Sequence, residues 1–402
     1  MSMRTPAGFA VTAGDFRALA QARLPRFLFD YIDGGASDEQ TLAANVDDWA
    51  AVRLRQRVLV NVDDIDTGST LLGEACRMPV VLAPVGLAGL AARRGEVQAV
   101  RAANAAGIPF TLSTVGICPL AEVQAASAAP FWFQLYMLRD RAFVLSLLRQ
   151  ARAAGCNTLV FTVDLPQTGM RHRDVRNGIA AAPGARAALL KASQLLARPR
   201  WIWDVGVRGK PHVFGNLSEA VPGASNPDAF KAWVDAQFDA RVTWDDIDWL
   251  RGQWPGRLLL KGILDVEDAR AAVRVGADGI VVSNHGGRQL DGVASSALAL
   301  LAIAAAVGTQ TEVLVDGGVR SGVDVFRALA LGARGVLVGR PWVWALAGAG
   351  EDGLRALLAT WQQELRMAMA LTGVTRVAAI SRAQIDARAS TLKTISPEEF
   401  PR

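Results

Sequence analysis

One short polar segment carries the residue types that proton chemistry needs. Residues 283–288 read SNHGGR and follow directly on an apolar run. The imidazole of His285 can accept and return a proton near neutral pH. The guanidinium of Arg288 can hold a carboxylate through two parallel hydrogen bonds. Asp164 ends another apolar run and would favour the imidazolium form of His285 if it lay beside it. Taken alone, each of these residues is as compatible with a structural role as with a catalytic or substrate-binding one.

Eight short apolar runs, bounded by Gly, Pro or Asn, must position these residues. The runs are 80–84, 109–113, 131–136, 158–164, 258–262, 279–284, 312–317 and 335–340. They are nearly continuous in apolar residues, as strands are when helices cover both faces of a parallel sheet. Segments with helical spacing separate several of them, including 95–106, 140–154, 266–275 and 322–331. The pattern predicts an α/β fold, a (β/α)8 TIM barrel, over 76–164 and 258–345.

Polar residues at the carboxyl ends of barrel strands usually carry function, because the strand bodies are packed. Besides residues 283–288, the predicted strand ends supply Ser113, Gln134, Tyr136, Thr162, Asp164 and Lys261. A single Ser or Thr at such a position is more often a helix cap, and a single Lys is often solvated. Several polar ends that converge on one face nevertheless favour a functional site there.

The seventh and eighth strands end in VDGGVRSG and VGRP. Barrel enzymes commonly bind phosphate at this position. Gly317 and Gly318 would let backbone N–H groups approach an anion, the next helix would add its dipole, and Arg340 would add charge. Together with Lys261 and His285 on neighbouring strands, these ends predict a phosphorylated cofactor across the barrel mouth.

Two segments exceed a minimal barrel. Residues 1–75 contain a helical stretch, 15–31, and are predicted to form an N-terminal helical cap. Residues 165–257 form a long insertion after strand 4, where a crossover needs about 30 residues or fewer. It must lie at the catalytic face, because βα loops leave the carboxyl ends of strands. Residues 346–402 are predicted to be a C-terminal helical region, and 1–402 a single domain.

Composition limits the alternatives. The 402 residues are 51% hydrophobic and 20% charged, which is typical of a globular protein with a large core. No apolar run reaches the roughly 18 to 20 residues of a membrane-spanning helix, and no apolar leader is recognisable, so we expect a cytoplasmic protein. Three dispersed cysteines give no reason to expect a disulfide or a metal site. The absence of a recognised nucleic-acid module disfavours nucleic-acid binding.

A series of motifs links the chain to a known family. The most specific is SNHGGRQLDG at 283–292, supported in order by FDYIDGGASDE, LAPVGLAGL, FTLSTV, WFQLY, FTVDLP, LLLKGI and LVDGGVRSG. Over about residues 10–380 the chain resembles the FMN-dependent L-2-hydroxy acid oxidases and dehydrogenases. Its segment ARRGEVQA, among others, is most similar to the bacterial respiratory L-lactate dehydrogenase branch.

The resemblance implies a role for each catalytic candidate. His285 would be the active-site base, and Asp164 would support its imidazolium. Arg171 and Arg288 would bind the substrate carboxylate with help from the phenol of Tyr31. In addition, Tyr136 would hydrogen-bond the substrate oxygen, and Lys261 would place a positive charge beside the flavin.

The resemblance also implies the cofactor, FMN. Its ring would be lined by Pro84, Val85, Gly86, Ser113, Gln134 and Thr162, with Lys261 and Ser283 also among the cofactor-binding residues. Its phosphate end would meet Asp316, Gly317, Gly318, Arg320, Gly339 and Arg340. The implied reaction is oxidation of a small L-2-hydroxy acid, L-lactate to pyruvate before others, with electrons passed to quinone or another respiratory acceptor. The electrons would reach the flavin as a hydride or after carbanion formation.

Other functions remain open from the sequence. Mandelate or another L-2-hydroxy acid could be the substrate, or O2 the acceptor. Oxidases of the family tend to carry Ala where this chain has Gly86, which favours a dehydrogenase. Glycolate oxidase-like members place Trp where Val115 stands, so substrate fit should differ. A flavin- or phosphate-ligand-binding module without turnover would not need a base beside a carboxylate.

The insertion begins with a strongly basic segment. Residues 171–210 hold nine basic and two acidic residues, and 187–203 combine apolar spacing with two Trp. This pattern is consistent with a surface that lies on a membrane, or with a lid over the flavin whose basic face is solvated. Because relatives pass electrons to membrane quinone, we expect peripheral association with the inner face of the cell membrane. Relatives also suggest a homo-oligomer, specifically a tetramer.

Overall fold

Eight parallel strands form the centre of the protein in a computed structural model that describes residues 10–178, 184–218 and 237–386. These eight are β3 (Val80–Leu82), β4 (Thr111–Ser113), β5 (Trp132–Leu135), β6 (Thr158–Thr162), β7 (Arg257–Ile263), β8 (Gly279–Val282), β9 (Glu312–Val315) and β10 (Gly335–Val338), and a separate hairpin of β1 (Ser69–Leu71) and β2 (Glu74–Cys76) precedes them. The sheet order is β3-β10-β9-β8-β7-β6-β5-β4, and a parallel bridge between Leu82 and Phe110 closes it. The predicted TIM barrel is therefore confirmed.

Helices surround this barrel and cap it. They are α1 (Ala13–Arg23), α2 (Arg26–Asp33), α3 (Gln40–Ala51), α4 (Ala88–Ala91), α5 (Gly95–Ala106), α6 (Leu120–Ala126), α7 (Arg141–Ala153), α8 (His172–Arg176), α9 (Ala185–Leu196), α10 (Pro199–Trp201), α11 (Trp244–Gln253), α12 (Val266–Arg274), α13 (Ser296–Val307), α14 (Gly322–Ala330) and α15 (Arg340–Thr372). A π-helix spans Ile202–Val207, and 3-10 turns span Gly215–Leu217, Val377–Ala379 and Arg382–Gln384. None of the described helices combines the length and apolar character needed to cross a membrane.

The barrel interior is a packed layer. Inward-facing side chains on alternate strand positions form one apolar cluster, which includes Val81, Trp132, Val160, Leu259, Val281, Leu314 and Leu337. The antiparallel hairpin β1–β2, which the sequence analysis did not predict, adds Leu71 and Cys76 to the same cluster. The hairpin is tied to the strands because Trp132 Nε1 donates to Glu74 Oε2 at 3.0 Å. Packing thus fills one end of the barrel and leaves the other for chemistry.

The N-terminal cap differs in detail from the predicted single helix over 15–31. In place of that single helix there are two, α1 and α2. Pro25, which precedes the first residue of α2, has no N–H with which to continue the hydrogen bonding of α1. Thr12 and Asp15 form a capping box that starts α1. Three predicted strands were also too long at their carboxyl ends. Asp164, Asn284 and Gly317 lie beyond the last residues of β6, β8 and β9.

The insertion after the fourth barrel strand is largely helical where it is described. Helices α8 to α10, the π-helix and α11 belong to it, while parts of the predicted 165–257 and 346–402 regions lie outside the described residues. The two Trp of the proposed membrane segment behave differently. Trp203 is 63% exposed, but Trp201 is buried and donates from Nε1 to the carbonyl of Leu90 at 2.9 Å. The division into cap, barrel, insertion and C-terminal region of one domain stays a prediction.

Candidate active site

A cavity of about 640 Å³ opens at the carboxyl ends of the barrel strands. Its wall contains the predicted residues Tyr31, Pro84, Val85, Gly86, Tyr136, Thr162, Arg171, Lys261, His285, Arg288, Asp316, Gly317, Gly318, Arg320, Gly339 and Arg340. These residues come from the cap, the insertion and nearly every barrel strand. The structure therefore brings together side chains that are far apart in the sequence.

His285 and Asp164 form the central pair of the site. Nδ1 of His285 lies 2.8 Å from Oδ1 of Asp164. Because an ionised carboxylate can only accept, Nδ1 carries the proton, and Nε2 of the neutral ring is left as the basic atom. Gly262 has φ +113°, and a Cβ there would lie 2.6 Å from the Asp164 side chain. This glycine lets the carboxylate pack closely against β7.

The pKa of His285 is lowered, even though Asp164 favours the imidazolium and by itself raises this pKa. Burial is the largest cause, and the nearby positive charges of Lys261 and Arg288 act in the same direction. Together they outweigh the stabilising carboxylate of Asp164. The pKa of Asp164 itself is lowered, since His285 and Lys261 overcome the effect of its burial. A neutral imidazole beside an ionised carboxylate is the arrangement that a general base requires.

Lys261 provides a buried positive charge. Its Nζ lies 2.9 Å from Oδ2 of Asp316 and donates to Oγ of Ser283, also at 2.9 Å. Burial opposes the charged ammonium, but the carboxylates of Asp316 and Asp164 outweigh it and raise the pKa of Lys261 above its ordinary value. The ammonium is therefore held in place and stays charged at neutral pH.

Two guanidinium groups flank a phenol at another part of the wall. The Cζ atoms of Arg171 and Arg288 lie 5.8 and 5.1 Å from the ring centroid of Tyr31. Burial and the charge of Arg171 lower the pKa of Arg288 to about 10, so the Arg288 guanidinium remains cationic at neutral pH. Burial also raises the pKa of Tyr136, which keeps its phenol protonated and able to donate. These groups can bind and orient a carboxylate that carries a neighbouring oxygen.

In the turn that is predicted to bind phosphate, the two glycines also meet a packing requirement. Gly317 and Gly318 have φ of +89° and +81°, and a Cβ on Gly318 would lie 1.8 Å from the carbonyl oxygen of Asn45. Close packing of α3 against this turn accounts for the glycines. Arg340 donates to the carbonyls of Asp33, Gly34 and Gly286. Its guanidinium is thereby fixed beside the cavity.

Three predicted cofactor residues lie behind the wall instead of in it. Ser113, Gln134 and Ser283 are buried and do not line the cavity. Ser113 Oγ donates to Gln134 Oε1 at 2.9 Å, and Ser283 Oγ accepts from the backbone N–H of His285 at 3.0 Å. In the structure their contacts support the residues that line the cavity.

The charges of the wall fit an anionic cofactor. Arg288, Arg320 and Arg340 are partly buried, and within the described residues their guanidiniums bond only to backbone carbonyls. Burial lowers the pKa of Arg320 to about 10. Buried cations without an anionic partner are unfavourable, so this wall is suited to a ligand that brings negative charge. Thr162 Oγ1, in the wall, also has no hydrogen-bond partner among the described residues.

Several residues of the cavity wall were not predicted from the sequence. Phe27 and Leu90 line it from the cap and α4, and the insertion adds Trp201, His212, Val213 and Phe214. No periodic pattern or strand end marks these residues. Only the length of the insertion and its necessary position at the catalytic face indicated that it would contribute.

Comparison with known proteins agrees with this geometry. A family model described as FMN-dependent dehydrogenase matches residues 20–387. The chain belongs to the FMN-dependent dehydrogenase family. It is an oxidoreductase of hydroxy acids, and FMN is its cofactor. Its fold and its buried cations at the barrel mouth fit that assignment.

Similar proteins cover nearly the whole chain. An L-lactate dehydrogenase of Caulobacter vibrioides is 57% identical over 388 residues, which are 96% of this chain and 98% of that protein. An L-lactate dehydrogenase of Xanthomonas euvesicatoria is 56% identical and covers 92% and 94%. Among solved structures, a monotopic membrane protein, (S)-mandelate dehydrogenase, matches with a TM-score of 0.87 and 34% identity over 94% of this chain and 99% of its own. A mandelate oxidase matches with a TM-score of 0.78 and 41% identity, covering 92% and 97%.

Proposed function

We propose that this family member oxidises L-lactate to pyruvate and passes the electrons to membrane quinone. The observation that carries the proposal is the His285–Asp164 pair, whose imidazole lines one cavity with Arg171, Arg288 and Tyr31. A 2-hydroxy acid offers what these groups recognise, a carboxylate next to a hydroxyl that must lose its proton. The relatives named L-lactate dehydrogenase favour lactate among such acids.

Each polar group of the cavity has a proposed task. Arg171 and Arg288 hold the substrate carboxylate, and this fixes the orientation of the reacting carbon. His285 takes a proton at Nε2, and Asp164 stabilises the imidazolium that forms. The protonated phenol of Tyr136 donates to the substrate oxygen. Bound FMN supplies the two-electron acceptor, and the charge of Lys261 favours its reduced form.

The residues proposed to hold FMN fall into two sets. The ring is proposed to contact the turn Pro84, Val85 and Gly86 and the hydroxyl of Thr162, with Ser113, Gln134 and Ser283 supporting from behind. The phosphate end is proposed to contact Asp316, Gly317, Gly318, Arg320, Gly339 and Arg340. The two partly buried guanidiniums in the second set favour this direction, because the phosphate carries most of the negative charge.

Association with a membrane surface is part of the proposal. Helix α9 has no buried residue, and Leu189 and Leu196 on it are 71% and 77% exposed. Together with Trp203 they form an exposed apolar face, which we call the α9 face, within the strongly basic segment 171–210. Exposed apolar side chains among basic ones favour binding to anionic lipid. The resemblance further favours a homotetramer, which analytical ultracentrifugation would test.

A larger substrate is the second candidate. The apolar part of the wall, with Val115, Trp201 and Phe214, could accommodate an aromatic group, and two of the similar structures are mandelate enzymes. A phenyl ring gains from burial against such side chains. Mandelate therefore competes with lactate as the substrate.

The experiment that tests the proposal is an anaerobic titration of the purified holoenzyme. We expect L-lactate to bleach the flavin absorbance, and quinone to restore it faster than air does. Bleaching by (S)-mandelate alone would replace lactate with the second candidate. Rapid recovery in air with peroxide formation would show an oxidase. A yellow protein that no 2-hydroxy acid bleaches would leave only a flavin-binding module.

A further inference from the structure

A set of apolar side chains from α2, α4 and the insertion lines one part of the cavity. Phe27, Leu90, Trp201, Val213 and Phe214 line the cavity there, and we call this set the apolar wall. Trp201 is fixed by its hydrogen bond to the carbonyl of Leu90. The substrate carboxylate cannot use these side chains, because they carry no charge and the one N–H among them, on Trp201, already donates to Leu90. The apolar wall therefore suits a different ligand or a different part of a ligand.

His212 lies beside the apolar wall, and the proposed mechanism leaves it unused. His212 also lines the cavity, and its Nε2 lies 3.2 Å from the carbonyl oxygen of Gly206. A carbonyl only accepts, so Nε2 carries a proton. Nδ1 is buried and has no hydrogen-bond partner among the described residues. A buried ring nitrogen without a partner, next to a cavity, indicates a site for a polar ligand atom.

The segment that carries this wall also carries the α9 face. Lys191 of α9 lines the cavity, whereas Leu189 and Leu196 on the same helix are exposed. Likewise, Trp201 lines the cavity and Trp203 is exposed. A single layer of chain thus has the cavity on one side and, in the proposed function, lipid on the other. A ligand dissolved in the membrane would meet this layer first.

We propose that the apolar wall and His212 form the binding site of the quinone head group. This inference rests on the proposed function, since it locates the electron acceptor that the function requires. A quinone head is a flat apolar ring with carbonyl oxygens at its edge, and one of these oxygens pairs with His212 Nδ1. In this tautomer Nδ1 carries no proton, so it accepts from the hydroxyl of the quinol that forms when the quinone is reduced.

The electron and proton balance closes at this site. Bound FMN in its reduced form would supply the quinone with two electrons and one proton, and water would supply the second proton. The product leaves as the quinol, whose hydroxyl is held by His212 Nδ1 until release. The proton taken from the substrate by His285 is released separately, so the two histidines serve the two halves of the cycle.

The test separates these two halves by stopped-flow absorbance on the holoenzyme. L-lactate first bleaches the flavin without air, and the reduced enzyme is then mixed with a short-chain ubiquinone analogue or with ferricyanide. For His212→Leu we expect reoxidation by the quinone to slow by about tenfold, the size of one lost hydrogen bond. Bleaching by lactate and reoxidation by ferricyanide should stay within twofold of the wild type, because neither uses His212.

Two further variants control the experiment. His212→Asn keeps a polar atom near the position of Nδ1 and should retain most of the quinone rate, which would exclude a simple packing defect. His172→Leu changes a histidine whose side chain is 41% exposed and that does not line the cavity, so it should behave as wild type.

Each outcome decides something different. If the wild type reduces ferricyanide but no quinone, the proposed acceptor is wrong whatever His212 does. If quinone reoxidises wild type and His212→Leu equally fast, the proposed function stands and the quinone site is overturned. Equal slowing with quinone and ferricyanide would also overturn it, because His212 would then act on the cavity as a whole.

Discussion

Nδ1 of His285 lies 2.8 Å from Oδ1 of Asp164, although the two residues are 121 positions apart in the chain. The second oxygen of this carboxylate, Oδ2, is buried and has no partner among the described residues. Asp164 therefore directs its hydrogen-bonding capacity mainly at one imidazole. Such a carboxylate fixes the ring and its tautomer, and it stabilises the positive charge that appears when the ring takes a proton.

Replacing His285 should abolish turnover but not cofactor binding. His285→Gln keeps a polar side chain of similar reach but removes the base, so kcat should fall by about 10²- to 10⁴-fold. The flavin spectrum of the purified variant should match that of the wild type. Stopped-flow bleaching by L-lactate measures the effect directly. Near-normal bleaching would contradict the role of His285 as the base.

The lowered pKa of His285 sets the pH dependence. The base must be neutral to accept a proton, so kcat/KM should fall as the pH drops through the pKa of His285. Because burial and the charges of Lys261 and Arg288 lower this pKa, the fall should lie below the ordinary value of 6.5. A profile of kcat/KM from pH 4.5 to 9 tests this.

Asp164→Asn tests whether the acidic fall in kcat/KM reports the pKa of His285. It removes the carboxylate that raises the pKa of His285, so the acidic fall should move to still lower pH. The maximal rate should also drop, since the imidazolium loses its partner. If the fall moved to higher pH instead, the proposed electrostatic balance would be wrong.

The convergence of the polar residues could be predicted from sequence because it follows from the barrel. Asp164, Lys261 and His285 follow different strands, and parallel strands of a barrel all end at one face. Their pairing needed only this topology. The direction of the pKa shift of His285 could not be predicted, because it depends on burial and on how closely Lys261 and Arg288 approach, which the order of strands does not determine.

Residues of the insertion could not be placed in advance for a different reason. Trp201 and Trp203 lie two positions apart, and the sequence pattern of their segment was consistent with a membrane surface or with a lid over the flavin for both. The structure buries only Trp201, because its indole finds a carbonyl partner on α4. A contact between an insertion and a remote helix leaves no periodic signature. The same is true of His212, whose place in the cavity wall has no counterpart in any motif.

A methyl group at Gly86 should narrow the site. A Cβ there would lie 2.7 Å from Cγ2 of Val115, and both residues line the cavity. Gly86→Ala must therefore displace the Val115 side chain, and we expect kcat/KM for L-lactate to fall by about tenfold. Gly86→Ala combined with Val115→Ala removes the clash and should behave like Val115→Ala alone. If the double variant stays as impaired as Gly86→Ala, the steric explanation is wrong.

Arg173 should hold the segment that carries Arg171 in place without contacting the substrate itself. Its Nη1 donates to Oδ2 of Asp33 at 2.9 Å, and its Nη2 contacts Glu39, so it links α8 to the cap that carries Tyr31. Arg171 lies immediately before α8. Arg173→Ala should loosen this link and raise KM for L-lactate by about tenfold, with a smaller change in kcat.

Arg176 provides the matched control for this prediction. It lies on the same helix and its side chain is exposed, so Arg176→Ala should leave KM unchanged. Circular dichroism would show that both variants are folded. A fall in kcat at constant KM for Arg173→Ala would contradict the positioning role.

The α9 face should determine membrane binding. Changing Leu189 and Leu196 to Ser removes two exposed apolar side chains and should lower binding to anionic vesicles by about tenfold or more. The matched control changes Leu59 and Leu371, which are also exposed but lie outside the segment, and it should bind as wild type. Cosedimentation with vesicles at low and high salt separates the electrostatic from the apolar contribution to binding. Salt screens the contribution of the basic residues but not that of the leucines. Equal binding by both double variants would show that the protein meets the membrane through another surface, or through charge alone.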